Sequence, residues 1–305
     1  MPRPRRLHLL LAAVLGLLTV TFGVLAAAPT PTPAPTPTPS STDPFGVPFG
    51  TRAASGPVHL VGCHDVVIEN RTFRQLGAGE IAISLENCQR VTVRAVDFVD
   101  IAEGIYALNS SDITIEYARY SNIIGPAQPR TGAHVGNFVQ FNNVTGGLID
   151  HNKGIGGDTE DIVSVYSSSY INVTNNQFQG TNWTSTSGSG IALCDGGGSN
   201  NVAQRNTLLN PGQVGAFIGG GTNCKLLDNI IYGAQRPSSN IGLYAWNQSS
   251  SPCSGLEVAR NRVFWQRADG VNKPAWNAGN CGTVAGWSTN QWNVLLDPLA
   301  LGVKL

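Results

Sequence analysis

The sequence runs to 305 residues with 19 basic and 19 acidic side chains, and charged residues make up 12% of it. With the three Arg and one Asp of residues 1–50 set aside, 16 basic and 18 acidic residues remain, a net charge of −2. That balance excludes a basic face for nucleic acid, so no nucleic-acid partner is expected.

The chain opens with Arg3, Arg5 and Arg6, continues through an apolar run from Leu9 to Leu25 and reaches the small-residue pattern Val24-Leu25-Ala26. Residues 1–28 have the layout of a secretory signal peptide. Leu9 to Ala28 is also just long enough to span a bilayer as an uncleaved membrane anchor, and either outcome exports the domain. Pro29 to Ser40 alternates Pro with Thr, a composition that cannot bury apolar surface, and residues 29–50 read as an extended spacer. The expected location is extracellular, secreted or tethered to the outer cell surface, with residues 51–305 as the folded domain.

Beyond the spacer one pattern recurs. Short alternating apolar runs lead to an anchor at Phe73, Phe98, Tyr120, Gly154, Phe178, Leu208, Ile231 and Val263. Five places before each anchor stands an apolar residue: Ile68, Val93, Ile115, Ile149, Val173, Ala203, Leu226 and Val258. Farther upstream a pair of columns repeats as Val58/Leu60, Ile83/Leu85, Ile105/Ala107, Val139/Phe141, Val163/Val165, Ile191/Leu193, Ala216/Ile218 and Ile241/Leu243. Such short alternation predicts half-buried strands. Two places before the anchor, five coils carry Asn: Asn152, Asn176, Asn206, Asn229 and Asn261. An Asn amide can bond to the same amide one rung away.

Anchor spacings of 22 to 34 residues are too short for propeller blades, and strands without helical periodicity exclude helical arrays. An all-β fold remains, a parallel β-helix of about eight coils stacked about 4.8 Å apart. The stretch from about Gly56 to Val263 resembles the pectate-lyase-like superfamily, which implies a single-stranded right-handed parallel β-helix. Beyond Val263 the repeat stops, and Trp265, Trp276, Trp287 and Trp292 are expected in a C-terminal cap from about residue 264, because a solenoid's last core needs a cover.

Six Cys in an exported chain favour disulfides over metal or redox chemistry. Cys63 and Cys88 each lie ten places before an anchor, so they should meet on neighbouring coils at about 5 Å, which suits a bridge. Cys253 with Cys281 would pin the cap and leave Cys194 with Cys224, although the sequence leaves the pairing of these four open. No Cys-x-x-Cys spacing exists, which argues against zinc.

Registering the coils gathers the few charges along one edge. Two places before Ile105, Val139 and Val163 stand Glu103, Asn137 and Asp161, expected in one column. Five places before Val139 and Val163 stand His134 and Asp158, an oriented-base arrangement, and Glu80 and Glu160 fall on the same edge. Glu103 and Asp161 would lie two rungs apart, about 10 Å between backbones at the spacing of stacked strands, which suits an inverting carboxylate pair with water between. The same cluster with Asn137 could instead hold Ca²⁺. A lyase or epimerase acting on an anionic glycan would draw on cations, and Arg130, His151 and Lys153 are the candidates; solvated coil corners are the plainer reading of each.

Glu160-Asp161-Ile162-Val163-Ser164-Val165 is similar to the paired-acid segment of polygalacturonase-type glycoside hydrolases, with Gly188-Ser189-Gly190-Ile191 one coil later. The resemblance implies that Glu160 and Asp161 form the acid pair. Ser189 stands where that family has His, and neither an Asn-Thr-Asp nor an Arg-Ile-Lys segment is found. The sequence thus points to an exported, monomeric β-helix that binds and cleaves a polysaccharide. Glu103, Asp158, Glu160 and Asp161 are its acids and bases, and Arg130, His134, Asn137, His151 and Lys153 its substrate contacts. The alternative is a non-catalytic glycan-binding surface module.

Overall fold

The computed structural model describes residues 45–77, 79–127, 135–180 and 188–305. Among the described residues the chain winds through three long parallel sheets, of nine, eight and ten strands, visiting each once per coil. One coil runs from Ile81–Glu86 in the first sheet through Gln89–Arg94 in the second to Asp97–Ile101 in the third. The expected anchors stack in the third sheet in unbroken register, from Phe73 beside Phe98 to Ile231 beside Val263. The apolar column five places upstream does the same in the second sheet, from Ile68 to Val258.

The corner between the second and third sheets is a single left-handed residue in every coil. Asn70, Ala95, Tyr117, His151, Asn175, Arg205, Asp228 and Arg260 all have φ between 49° and 57°. Asn and Asp accept this conformation readily, whereas Ala, Tyr and Arg do so at a cost of about 1–2 kcal/mol each. From His151 onward each corner is followed directly by an Asn. Asn152, Asn176, Asn206, Asn229 and Asn261 form the expected ladder, each amide donating to the next amide oxygen at 2.8–3.0 Å, and it continues one rung farther to Asn290. Each also donates to a carbonyl of the preceding coil, as Asn206 does to Val173 at 2.8 Å. Every buried amide on this wall is therefore satisfied.

Inside, Phe73 stacks on Phe98 at 5.3 Å, and Phe138 fits edge-on between Phe98 and Phe178. Gly154, the anchor without a side chain, lies against the Tyr120 ring, which occupies the space a Cβ would need. The missing aromatic is thus supplied from the coil before.

One register differs from expectation. In the first sheet Ala216 pairs with Leu243 and Ile218 with Ala245, so Ile241 lies beside Val214, two residues from its expected partner. A slip of two keeps every side chain on its own face, so apolar alternation fits both registers equally. Close backbone approach decides between them: Gly190, Gly215 and Gly242 stack, and a Cβ on Gly190 would lie 2.5 Å from the Gly215 carbonyl oxygen.

Both ends differ from a plain spacer and a plain cap. Residues 45–50 lie against the coils. Phe45 meets Tyr117 edge-on at 5.6 Å, Phe49 lies under the Arg119 guanidinium at 5.4 Å, and the Gly50 N–H donates to Asp97 at 2.8 Å. Asp97, fully buried, takes a bidentate bond from Arg119 at 2.8 and 3.0 Å and pairs with Arg52 at 3.4 Å. Past Val263 the sheets continue: Ala275–Asn277 pairs beside Leu243, and Trp292 beside Val263. Trp265 is fully buried in the last full coil, and Trp287 and Trp292 cover the core, whereas Trp276 is on the outer surface, 41% exposed. The disulfides join Cys63 to Cys88, Cys194 to Cys224 and Cys253 to Cys281, with Cα separations of 4.5, 6.6 and 4.7 Å. Residues 1–28 and most of the 29–50 spacer lie outside the described residues.

Candidate active site

The corner from the third sheet into the first is where the coils carry their longest insertions and where the acids collect. Ile105, Val139, Val163 and Ile191 are stacked in the first sheet. Two places before them, Glu103, Asn137, Asp161 and Ser189 therefore form one column on successive rungs. Hydrogen bonds tie the upper part of it together. The Asn137 side-chain oxygen accepts from the Asp161 N–H at 3.0 Å, and Asp161 Oδ1 accepts from the Ser189 N–H at 3.0 Å and from its hydroxyl at 2.6 Å. One Asp161 oxygen is thus fixed by two donors from the next coil.

The electrostatics separate these acids from ordinary surface carboxylates. Burial, and then the charge of Glu160, pushes the Glu103 carboxyl up to about 7. Burial also pushes Asp161 up to about 7; the Ser189 hydroxyl opposes the rise, while Glu160 and Asp195 add to it. Glu160 is raised by burial and by Asp195, and Asp195 by burial against the opposing Gly196 N–H. Like charges crowded in a partly buried group disfavour full ionisation.

Asp195 was not foreseen. It ends the strand Ser189–Asp195, where a register irregularity sets it beside Tyr166. Counting back from the columns misses a residue displaced by a bulge. The legible signal is the acid itself, closing an apolar strand immediately before Gly196-Gly197-Gly198.

The other expected residues part company. Asp158 is buried, 3% exposed, at the end of the strand Lys153–Asp158 in the third sheet; its expected partner His134, and Arg130, lie outside the described residues. Lys153 begins that strand and His151 is the corner just before it, five and seven residues from Asp158 and so about 16 Å or more away at the rise of an extended chain. Both are engaged there. The His151 ring stacks on Tyr117 at 5.3 Å and its Nδ1 bonds Asp150 at 2.6 Å, while the Lys153 ammonium sits over the Phe45 ring at 4.4 Å. These two therefore do not join the acidic column. Glu80 accepts from the Gly77 N–H of its own turn at 2.9 Å.

Asn137 is 2% exposed and spends its oxygen on the Asp161 backbone. Among the described residues no three His, Cys, Asp or Glu side chains converge to hold a metal ion.

Comparison with known proteins agrees with the winding. A family model described as "Right handed beta helix region" matches residues 81–263. Comparison with curated proteins gives no match. Among solved structures, DFA-IIIase from Arthrobacter chlorophenolicus A6 in complex with GF2 is similar with a TM-score of 0.51 at 13% identity, covering 75% of this chain and 59% of that chain. The present chain therefore spans less than two thirds of that protein's length. PfbA, a surface adhesin of Streptococcus pneumoniae, aligns with a TM-score of 0.30 at 13% identity, over 74% of this chain and 75% of the adhesin. Identities this low speak to the fold alone. The family match covers well over half of the chain and coincides with the coils seen here, so the protein belongs to the right-handed β-helix family.

Proposed function

We propose that this chain is an exported polysaccharide hydrolase that cleaves a glycosidic bond with inversion, using Glu103 as general acid and Asp161 as general base. The observation that carries the reading is the shared column of Glu103 and Asp161, two rungs apart with Asn137 between them. Backbones about 10 Å apart at that spacing are close to the carboxylate separation of about 6.5–9.5 Å that admits a sugar and one water.

The assignment of roles follows from the surroundings. Ser189 donates two hydrogen bonds to Asp161 Oδ1, which favours the carboxylate and suits a base. Glu103 is raised by burial and by the charge of Glu160, with no opposing hydrogen bond, which favours the protonated form and suits an acid. In the reaction Glu103 gives its proton to the glycosidic oxygen as the bond to the anomeric carbon breaks. Water on the opposite face attacks that carbon and passes its proton to the second oxygen of Asp161. Glu160 and Asp195, both raised by burial, set the proton balance around the pair. The disulfides fit an oxidising, extracellular location. The fold also accommodates a bound ligand in DFA-IIIase, captured in complex with GF2.

The test is reducing-sugar release across a panel of polysaccharides, with unsaturated uronate followed in parallel. Turnover without unsaturated product is expected, and Glu103→Gln and Asp161→Asn should each lower kcat by about 10²–10⁴-fold, the usual weight of an acid or base. Unchanged turnover in both variants would overturn the assignment, and glycan binding with no turnover in the native chain would favour a binding module.

A further inference from the structure

The acidic column does not end at Ser189. Continuing along the first sheet, Ser189 pairs with Val214 and Val214 with Ile241, and these two apolar residues line a groove of about 490 Å³. That size suits a small ligand. Beside it, the outward side chains of the last three strands form an aromatic row. Phe217, Tyr244 and Trp276 are register neighbours, with Phe217 stacked on Tyr244 at 4.8 Å and an interplanar angle of 10°. Trp246 closes on Trp276 at 5.6 Å. Trp246 and Trp276 are 39% and 41% exposed, unusual for indoles that have a core to join.

The rim has a sign. A tight turn, closed by the antiparallel bridge of Gln266 with Asn272, brings Arg267 and Lys273 to the same groove. Arg267 is partly neutralised by Asp269 at 3.1 Å, while Lys273 makes no ion pair among the described residues. An aromatic wall with a cation at its rim takes a ring with apolar C–H faces and a negative substituent.

We infer that the groove walled by Tyr244, Trp246 and Trp276 and rimmed by Lys273 and Arg267 is a subsite for an anionic sugar unit of the chain cleaved at Glu103 and Asp161. The inference rests on the proposed function for the identity of that chain, but the groove's own binding is measured without turnover. Val214 and Ile241 continue the Glu103–Ser189 column, so one extended glycan lying along this edge would reach both places. From Asp161 to Ile241 the edge climbs three rungs, about 14 Å at the strand spacing.

The experiment is isothermal titration of the full chain carrying Glu103→Gln, with three tetrasaccharides: an oligouronate, a sulfated oligosaccharide and a neutral glucan. Preference for one or both anionic probes over the neutral one by at least about tenfold is expected, and their ratio separates carboxylate from sulfate recognition. Lys273→Gln should erase that preference, and Trp276→Ala should weaken all binding by about tenfold or more. Both sites are at the surface, and an unchanged melting temperature checks folding; Trp246→Ala is the second aromatic probe. Equal affinity for neutral and anionic probes overturns the inference, as do Lys273→Gln and Trp276→Ala both binding within about twofold of the parent. Turnover that survives Glu103→Gln and Asp161→Asn while these losses appear refutes the acid pair and leaves the subsite standing.

Discussion

Replacing Asn206 with Ala cuts the amide ladder at its middle rung. Asn206 is fully buried. Its oxygen accepts from the Asn176 N–H at 3.1 Å and from the Asn176 amide at 2.9 Å, and its own amide donates to Val173 at 2.8 Å and to Asn229 at 3.0 Å. After truncation Asn229 still receives the Asn206 backbone N–H at 3.0 Å, so it is not stranded. The Asn176 N–H and one Asn176 amide hydrogen are, whereas the Val173 carbonyl keeps its place in the ladder with the next coil. At about 1–3 kcal/mol for each of these two buried donors left without a partner, the loss comes to about 2–6 kcal/mol. Asn290 closes the same ladder but is 9% exposed, so water can replace its bonds, and Asn290→Ala should cost only about 1–2 kcal/mol. Urea unfolding followed by far-ultraviolet circular dichroism measures both. Equal losses at the two positions, or a loss below about 1 kcal/mol at Asn206, would refute the view that this ladder is a satisfied network with a dry interior and a wet end.

Three further outcomes follow from the same structure. Asp97→Asn leaves Arg52 and Arg119 without their shared buried carboxylate and should destabilise by about 3–5 kcal/mol, with faster proteolysis between residues 45 and 52. Gly154→Ala forces a Cβ into the Tyr120 ring and should lower the melting temperature, an effect that Tyr120→Leu in the same chain should partly reverse. Glu103 and Asp161, raised to about 7 from ordinary values of 4.5 and 3.8, bind more protons folded than unfolded. Stability should therefore be highest at low pH within the range from about 4 to 7, fall as pH rises toward 7, and level off above it. Urea midpoints at pH 5 and pH 8 measure this, and an undiminished difference in the Glu103→Gln, Asp161→Asn double variant would contradict the cause.

The winding was legible because inward positions repeat with period two and each coil places its anchor at a nearly constant distance from the column before it. Phe73 through Val263 could be stacked from spacing alone, and Glu103, Asn137 and Asp161 followed, since they sit a fixed step from those columns. What stayed hidden were events that spacing does not record. A bulge set Asp195 beside Tyr166, a two-residue slip changed the partner of Leu243 without changing its face, and the ring faces of Phe45 and Tyr117 claimed Lys153 and His151. Trp276 reads as apolar in composition, yet its strand turns it outward beside Tyr244. The corner residues were silent for another reason: Ala95, Tyr117 and Arg205 adopt the left-handed conformation because neighbouring coils impose it, with no compositional mark of their own.

The segment from Phe45 to Arg52 enters the fold sideways. It meets Tyr117 and Lys153 first, in the third and fourth coils, then Asp97 in the second, and only afterwards joins the stack at Ala53 beside Arg71. Tension arriving from the N-terminal direction would therefore be taken up by ring contacts and a buried guanidinium–carboxylate clasp, loaded in shear across several coils together. The outermost strand, which would otherwise peel away one hydrogen bond at a time, is shielded from that load until the clasp gives way.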